Sequence, residues 1–223
     1  MTDSVPAGQP PDHPVPQWLQ GLRAQAHTPE SFFVRSAVEE GRRSAVLMLF
    51  GPAPGGGEDV VLTERAASMR RHPGQVSFPG GSADPGDSSP TDTALREARE
   101  EIGLSAEGVE VLGELPAIPL SVSGFKVTPV IAWWALPSPI HVAIRAEVAR
   151  VERVRLDDLT DPANRFMSVH PYRSFAAPAF EVDGLYIWGF TAMILSATLT
   201  MAGLDRPWDQ DDRRPVPERY LRG

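Results

Sequence analysis

The stretch SPTDTALREAREEIGL, residues 89–104, decides the fold because it describes one complete helix with two different faces. Ser89 can cap the N-terminus, Pro90 suits the first helical position, and Gly103 can end the helix. Apolar residues recur at helical spacing along one face: Ala94, Leu95, Ala98 and Ile102. This spacing predicts an amphipathic helix that packs its apolar face on a sheet.

The other face of this helix carries three glutamates. Glu97 precedes Glu100 and Glu101 by three and four positions, so the three side chains share one edge. Without a cation, their carboxylates would repel one another near the negative end of the helix dipole. Mg²⁺ prefers such oxygen ligands and commonly shares its coordination shell with phosphates. An ordinary solvated acidic face is the alternative interpretation.

Short apolar or alternating segments around this helix predict strands and hairpins. The predicted strands are Ser44–Phe50, Asp59–Thr63, Gln75–Phe78, Val109–Leu112, Val127–Leu136 and Glu147–Val154, with hairpins across 51–58 and within Phe180–Trp188. Helices are predicted at Val15–Gln25 and Thr191–Ala202, and a turn or short helix at Asp157–Leu159. This order predicts an α+β fold, an α/β/α sandwich with a mixed sheet. We expect a domain over 15–204 between flexible tails, 1–14 and 205–223.

Composition narrows the functional classes. The 223-residue chain has a net charge of −8, which disfavours a general nucleic-acid binder. It contains no cysteine, which fits a cytoplasmic protein and removes thiolate chemistry. Tyr186–Leu204 is uncharged, but Gly189 and several hydroxyl residues interrupt it. We interpret this segment as a strand end and a buried helix rather than as a membrane span.

The residues before the helix extend the pattern into a known motif. Gly81–Leu104 resembles the Nudix box, which consists of a glycine, an acid, a spacer and then R-E-U-x-E-E-x-G-U. The first acid is Asp87, the spacer to Arg96 holds eight residues, and Ala98 is smaller than usual. The matching residues are Gly81, Arg96, Glu97, Glu100, Glu101, Gly103 and Leu104.

A second signature resembles the coenzyme A diphosphatase branch of the Nudix hydrolase superfamily. It runs without a gap from Val61 into the glycine pair, and only Val61 departs mildly from it. The stretch Ile187–Ala192 is also similar to this branch. The residues that carry the signature are Leu62, Thr63, Arg65, Arg70, Gly74 and Phe78-Pro79-Gly80-Gly81. The resemblance implies hydrolysis of coenzyme A, and of acyl derivatives, to 3′,5′-ADP and 4′-phosphopantetheine.

The resemblance also implies roles for individual residues. Glu97, Glu100 and Glu101 would bind Mg²⁺ or Mn²⁺, which activates water and bridges phosphate oxygens. Arg96 would orient a glutamate through a bidentate contact. Gly80 and Gly81 would shape the loop beside the helix.

Several assignments stay open at the sequence level. The general base is Glu97, Glu101 or a loop carboxylate, with Glu147, Glu152 and Glu181 as candidates. Arg65 and Arg70 are candidates to read the ribose 3′-phosphate, and strand-end salt bridges are their alternative role. Trp133, Trp134 and Trp188 are interpreted as core residues, and His72 as a loop residue.

The rival enzymatic hypothesis is a Nudix hydrolase of ADP-ribose, NADH or a nucleoside triphosphate. The rival from another class is a non-catalytic Nudix module that binds nucleotides. We expect a small-molecule partner, no nucleic acid and no membrane, and leave a homodimer open.

Overall fold

The computed structural model describes residues 13–36, 39–120, 124–172 and 176–221. The helices in this part are α1 (Gln17–Gln20), α2 (Leu22–Ala26), α3 (Phe32–Ser36), α4 (Pro90–Ile102), α5 (Leu156–Thr160) and α6 (Gly189–Met201). The strands are β1 (Arg42–Pro52), β2 (Glu58–Arg65), β3 (Val76–Ser77), β4 (Gly80–Ser82), β5 (Val109–Glu114), β6 (Ile118–Leu120), β7 (Phe125–Trp134), β8 (Val148–Arg155), β9 (Arg165–Val169), β10 (Ala176–Val182), β11 (Leu185–Ile187) and β12 (Arg213–Pro215).

Strand β1 lies at the centre of an eight-stranded sheet. It runs parallel to β7 and antiparallel to β2 and β4, so the predicted mixed sheet is confirmed. Because side chains alternate along a strand, Leu47 and Leu49 pack with α4, whereas Met48 and Phe50 pack with α6, α1 and α2. Helices therefore cover both faces, and the predicted α/β/α sandwich is confirmed.

The predicted elements appear with small changes at their ends. The hairpin between β1 and β2 and the hairpin between β10 and β11 are both present. The single helix predicted over Val15–Gln25 is wrong, because Gly21 separates α1 from α2. Gly21 is an unfavourable helix residue because its backbone loses more conformational freedom than that of other residues.

The structure of the C-terminal segment, residues 205–221, differs from a second prediction. The flexible tail expected from residue 205 is wrong for residues 205–221, where β12 pairs in parallel with β9. Tyr220 is only 7% exposed, and Asp205 forms an ion pair with the buried Arg165. Few apolar residues carry this packing, so the polar, proline-bearing composition of the segment concealed it. Residues 1–12 of the predicted N-terminal tail lie outside the described residues.

The uncharged segment Tyr186–Leu204 forms two separate elements, as predicted. It contributes β11 and then α6, whose buried residues pack in the main core. Within the described residues, no helix combines the length and the apolar character that a bilayer crossing requires.

Candidate functional site

Helix α4 has the ends that its sequence predicts. The Ser89 side chain accepts a hydrogen bond from the Asp92 backbone N–H at 3.1 Å, and Pro90 occupies the first turn. Gly103 ends the helix in the left-handed conformation, with φ of 67°. These ends fix which residues face the sheet, so Ala94, Ala98 and Ile102 are buried as predicted.

The glycine pair brings the chain against this helix. Strand β4 pairs with β1, and an ideal Cβ on Gly80 would lie 2.3 Å from the Ala45 carbonyl oxygen. An ideal Cβ on Gly81 would lie 2.4 Å from Glu97 Oε1. The missing side chain of Gly81 therefore provides the space that the Glu97 carboxylate occupies.

Glu101 is the most buried of the three helix glutamates, with an exposed fraction of 4%. Its Oε2 accepts a hydrogen bond from the Gly80 backbone N–H at 3.1 Å. Burial raises the pKa of Glu101 to about 7, although the Gly80 hydrogen bond and the nearby Arg65 charge act to lower it. The structure thus joins Glu101 directly to the glycine turn.

Glu97 and Glu100 face progressively more solvent. The Glu97 side chain is 16% exposed and the Glu100 side chain is 49% exposed. Burial raises the pKa of Glu97 above its usual value, while the adjacent Arg96 lowers it and the charge of Glu100 raises it. Solvent exposure therefore increases from Glu101, beside the glycine turn, through Glu97 to Glu100.

Arg96 lies between these acids, and its contacts differ from the predicted bidentate contact with a glutamate. Its Nη1 donates to Glu97 Oε1 at 3.1 Å and to Glu100 Oε2 at 3.2 Å. The two-pronged contact predicted to hold a glutamate is made to Asp87 instead, from Nε at 3.1 Å and Nη2 at 3.0 Å. The reason is position, because Asp87 lies beside the start of α4 and also accepts a hydrogen bond from Thr93.

The structure does not bring the three glutamates into one ready-made metal cage. Across the part of the chain that the structure describes, no group of three or more histidine, aspartate and glutamate side chains is arranged to hold a metal ion. The guanidinium of Arg96 contacts both Glu97 and Glu100 and offsets part of their negative charge. Glu97 and Glu101 remain the pair that lines the glycine turn.

One of the three loop carboxylates lies near this pair. The loop before β8 donates the His141 N–H to the Ile102 carbonyl at 3.0 Å and the Ala143 N–H to the Glu101 carbonyl at 2.9 Å. These bonds satisfy carbonyls at the end of α4 and hold the following Glu147 close, so that its charge raises the pKa of both Glu97 and Glu101.

The other two loop carboxylates have partners elsewhere. Glu152 Oε1 accepts a hydrogen bond from Arg150 at 2.6 Å, and Glu181 lies 3.6 Å from Arg214 beside the smaller sheet. The charges that raise the pKa of Glu97 and Glu101 include that of Glu147 but neither of these two. Electrostatic coupling to the helix glutamates therefore favours Glu147 among the loop candidates.

Arg65 ends β2, and Arg70 lies on the loop between β2 and β3, ahead of the glycine turn in the sequence. Neither forms an ion pair with another described residue, so the alternative role in strand-end salt bridges is not observed. Arg65 is half-buried, its Nε has no hydrogen-bond partner among the described residues, and its charge lowers the pKa of Glu101. Arg70 is exposed on the loop.

The aromatic and histidine assignments agree with the structure. Trp133 and Trp134 are 3% and 0% exposed and belong to the two main cores. Trp188 packs against a third cluster near the C-terminus. His72 lies on the loop before β3, where its Nδ1 contacts the Gln75 side chain at 3.1 Å.

Two features of the site were absent from the sequence reasoning. The capping of α4 by the loop at 141–143 uses backbone groups, which leave no signal in side-chain identity. The contact between Asp87 and Arg96 had a signal, because Asp87 holds the position of the first acid in the box. Arg96 does pair with glutamates, as expected, but its bidentate contact is made to Asp87.

Comparisons with known proteins show which family this chain resembles. The model of the NUDIX domain matches residues 41–175. A protein named "Uncharacterized Nudix hydrolase NudL" from Pectobacterium atrosepticum is 39% identical over 180 residues, covering 76% of this chain and 87% of that protein. Its namesake from Cronobacter sakazakii is 38% identical over 169 residues, covering 72% and 82%. The solved structure of RenU, a Nudix hydrolase from M. smegmatis, is 28% identical with a TM-score of 0.46, covering 56% of this chain and 76% of that one.

Proposed function

This chain belongs to the Nudix hydrolases, and from that premise we propose that it splits the phosphoanhydride bond of coenzyme A. The products are 3′,5′-ADP and 4′-phosphopantetheine, and acyl-coenzyme A is a further substrate. The observation that carries the proposal is that the signature from Val61 to Gly81 ends on the turn that contacts Glu97 and Glu101. The segment that resembles the coenzyme A branch and the acidic helix thereby form one site.

The residues present fit a divalent cation, Mg²⁺ or Mn²⁺. All the side-chain donors along this edge are carboxylate oxygens, which are the ligands that these hard cations prefer. Because Gly81 has no side chain, the Glu97 carboxylate can lie directly against the glycine turn. We propose Glu97 and Glu101 as the inner ligands and Glu100 as the outer one. When bound, the cation supplies charge neutralisation for the diphosphate and lowers the pKa of water.

The other residues of the site position the reactants. Arg96, held by Asp87 and by the Ser82 carbonyl at 3.0 Å, fixes the direction of the acidic edge. Glu147 is the proposed acceptor of a proton from the attacking water, because it lies near Glu97 and Glu101 on an exposed loop. Arg65 and Arg70 provide positive charge toward the substrate phosphates.

A substrate panel with resolved products tests this proposal. Coenzyme A, dephospho-coenzyme A, ADP-ribose, NADH and a nucleoside triphosphate are each incubated with Mg²⁺ or Mn²⁺, with and without EDTA. We expect 3′,5′-ADP from coenzyme A, at a higher kcat/KM than the corresponding products of the other substrates, and no product in EDTA. Faster turnover of ADP-ribose or NADH would instead assign the chain to another substrate of the family. Binding without turnover of any substrate would favour the non-catalytic module.

The two arginines give a separate test of how coenzyme A is recognised. If a guanidinium reads the 3′-phosphate, its removal should lower kcat/KM about tenfold more for coenzyme A than for dephospho-coenzyme A, since charge-assisted bonds contribute about 1.5 kcal/mol or more. Arg65→Ala and Arg70→Ala are assayed side by side on both substrates. Equal losses on both substrates in both variants would remove the 3′-phosphate assignment and leave the diphosphate as their target.

A further inference from the structure

The loop that carries the two arginines is closed at its base by backbone hydrogen bonds. We name residues 65–75 the arginine loop. The Arg65 N–H donates to the Gln75 carbonyl at 3.0 Å, and the Gly74 N–H donates to the Arg65 carbonyl at 3.1 Å. Ala67, Ser68 and Arg70, farther along the loop, are exposed. The closed base fixes the ends of the loop but leaves its orientation to contacts from elsewhere in the fold.

The Gln75 side chain supplies such a contact. Its Nε2 donates to the Tyr220 carbonyl at 3.1 Å, and its Oε1 lies 3.1 Å from His72 Nδ1. Because an amide oxygen only accepts hydrogen bonds, the His72 Nδ1 is the donor in this pair. One amide therefore connects the arginine loop to the C-terminal segment, across 145 positions of sequence.

Tyr220 is itself fixed to the smaller sheet. Its ring stacks on the Tyr186 ring with centroids 5.2 Å apart and an interplanar angle of 9°. Tyr220 is 7% exposed and Tyr186 is 5% exposed. The Phe166 ring also packs against the Tyr186 ring, with centroids 5.6 Å apart. An ideal Cβ on Gly74 would lie 3.6 Å from Tyr220 Cε1, so the same ring also reaches the loop.

The segment that carries Tyr220 is anchored along its length. Strand β12 pairs with β9, Val216 is buried, and its N–H donates to the Val169 carbonyl at 3.0 Å. Upstream, Asp205 pairs with the buried Arg165, which also donates to Ser196 at 3.0 Å. Residues 205–221 are thus a packed strap whose last buried ring meets the arginine loop.

We propose that this C-terminal strap positions the arginine loop for the substrate, with Gln75 and Tyr220 as its positioning residues. This inference rests on the proposed function, because the loop holds the arginines assigned to the substrate phosphates. Neither positioning residue touches the reacting bond. Loss of the contact should therefore let the loop sample other orientations, which weakens substrate capture more than it slows the chemical step.

Four variants of the full chain test the proposal. Tyr220→Ala removes the ring, Gln75→Ala removes the connecting amide, and Tyr220→Phe keeps the stacked ring. Asp211→Ala is the matched control, because Asp211 is exposed in the same strap and its side chain has no hydrogen bond or ion pair among the described residues. For each variant, amide hydrogen exchange of residues 66–75 is compared with that of β1 and β7, and KM and kcat are measured with coenzyme A.

We expect Tyr220→Ala and Gln75→Ala to accelerate exchange in the arginine loop about tenfold or more, with β1 and β7 unchanged. KM should rise about tenfold while kcat stays within about twofold, because only capture depends on loop order. Tyr220→Phe and Asp211→Ala should match the wild type in every measurement. Unchanged loop exchange and unchanged KM in Gln75→Ala would overturn the proposal, even if Tyr220→Ala proved too unstable to interpret.

The exchange measurement separates this inference from the proposed function. If the wild type failed to hydrolyse coenzyme A, the proposed function would be lost. Exchange of residues 66–75 in Gln75→Ala would still decide whether the strap orders the loop. A lower kcat with an unchanged KM in Gln75→Ala and Tyr220→Ala would also count against a role of the strap in positioning the arginine loop.

Discussion

Glu101 is a buried carboxyl group that accepts a hydrogen bond from a backbone N–H. Glutamine retains an oxygen that can accept the Gly80 hydrogen bond, so Glu101→Gln removes the ionisable group with little change in shape. We predict that kcat falls on the order of 100-fold or more, whereas the melting temperature changes by only a few degrees. Steady-state kinetics and thermal unfolding are measured on the same preparation.

Glu107→Gln is the control for that experiment, because Glu107 is exposed beyond the end of α4. It makes the same chemical change outside the site and should leave kcat unaltered. Near-normal turnover by Glu101→Gln would exclude this carboxylate from the catalytic machinery.

Asp87 gives a prediction about acid stability. Its hydrogen bonds to Arg96, to the Asp84 N–H and to Thr93 hold the pKa of this carboxyl well below its usual value of 3.8. A group with a lowered folded-state pKa stabilises the fold above its unfolded pKa, and this contribution disappears as the pH falls below that value. Wild type should therefore exceed Asp87→Asn in stability at pH 7, and the difference should shrink progressively below about pH 4.

Urea unfolding at a series of pH values between 3 and 7 measures this difference directly. The slope with denaturant should stay the same in both proteins, so that the midpoints can be compared. A difference between the two proteins that did not vary with pH would mean that the charge of Asp87 is not the stabilising feature.

At the scale of elements, the close approach of β4 to α4 determines the site. An alanine Cβ at position 81 would meet the Glu97 carboxylate at 2.4 Å, so that carboxylate must move. We predict that Gly81→Ala lowers kcat/KM at least about tenfold, because a misplaced catalytic group of this kind costs one to two orders of magnitude. The fold should persist, since the displaced atoms are the end of a flexible side chain.

Gly86→Ala is the matched control for this contact. Nothing lies within 4 Å of an ideal Cβ on Gly86, in the exposed turn between β4 and α4. The same added methyl group should therefore leave kcat/KM unaltered. Equal activities of the two alanine variants would show that the space beside Glu97 has no catalytic importance.

Sequence patterns predicted α4 and six of the eight strands of the main sheet, all but the short β4 and β6, and they did so for a physical reason. Alternation along β1 and the apolar stripe of α4 record which side chains are buried, and burial is the largest favourable term in folding. Ser89, Pro90 and Gly103 record where α4 begins and ends. Strand β12 spans only three residues and left no comparable pattern.

The site was predictable in its composition and less so in its contacts. The glycine pair and the helix glutamates could be identified because each carries a distinct side-chain requirement. The partner of Arg96 depended on where the turn before α4 places Asp87, and the choice of Glu147 depended on backbone hydrogen bonds from the loop at 141–143. Such contacts arise from the fold as a whole.

At the scale of the whole molecule, the C-terminal strap is integrated with the domain. Arg165 is only 2% exposed, and it packs under Trp208 with its charge balanced by Asp205. Asp205→Ala should cost about 2 kcal/mol of unfolding free energy, below the ~3–5 kcal/mol of a fully buried pair because Asp205 is partly exposed. Chemical denaturation measures this cost, with Asp211→Ala as an exposed control in the same strap. A loss no larger than that of the control would show that the pair is not stabilising.

The most direct test of the central claim is a crystal structure with Mn²⁺, which can be located by its anomalous scattering. We predict one or more ions on the edge of α4, coordinated by Glu97 and Glu101, with Arg96 released from Glu97 and still paired with Asp87. Ions bound only elsewhere, with the contacts of Arg96 to Glu97 and Glu100 unchanged at saturating Mn²⁺, would contradict the claim.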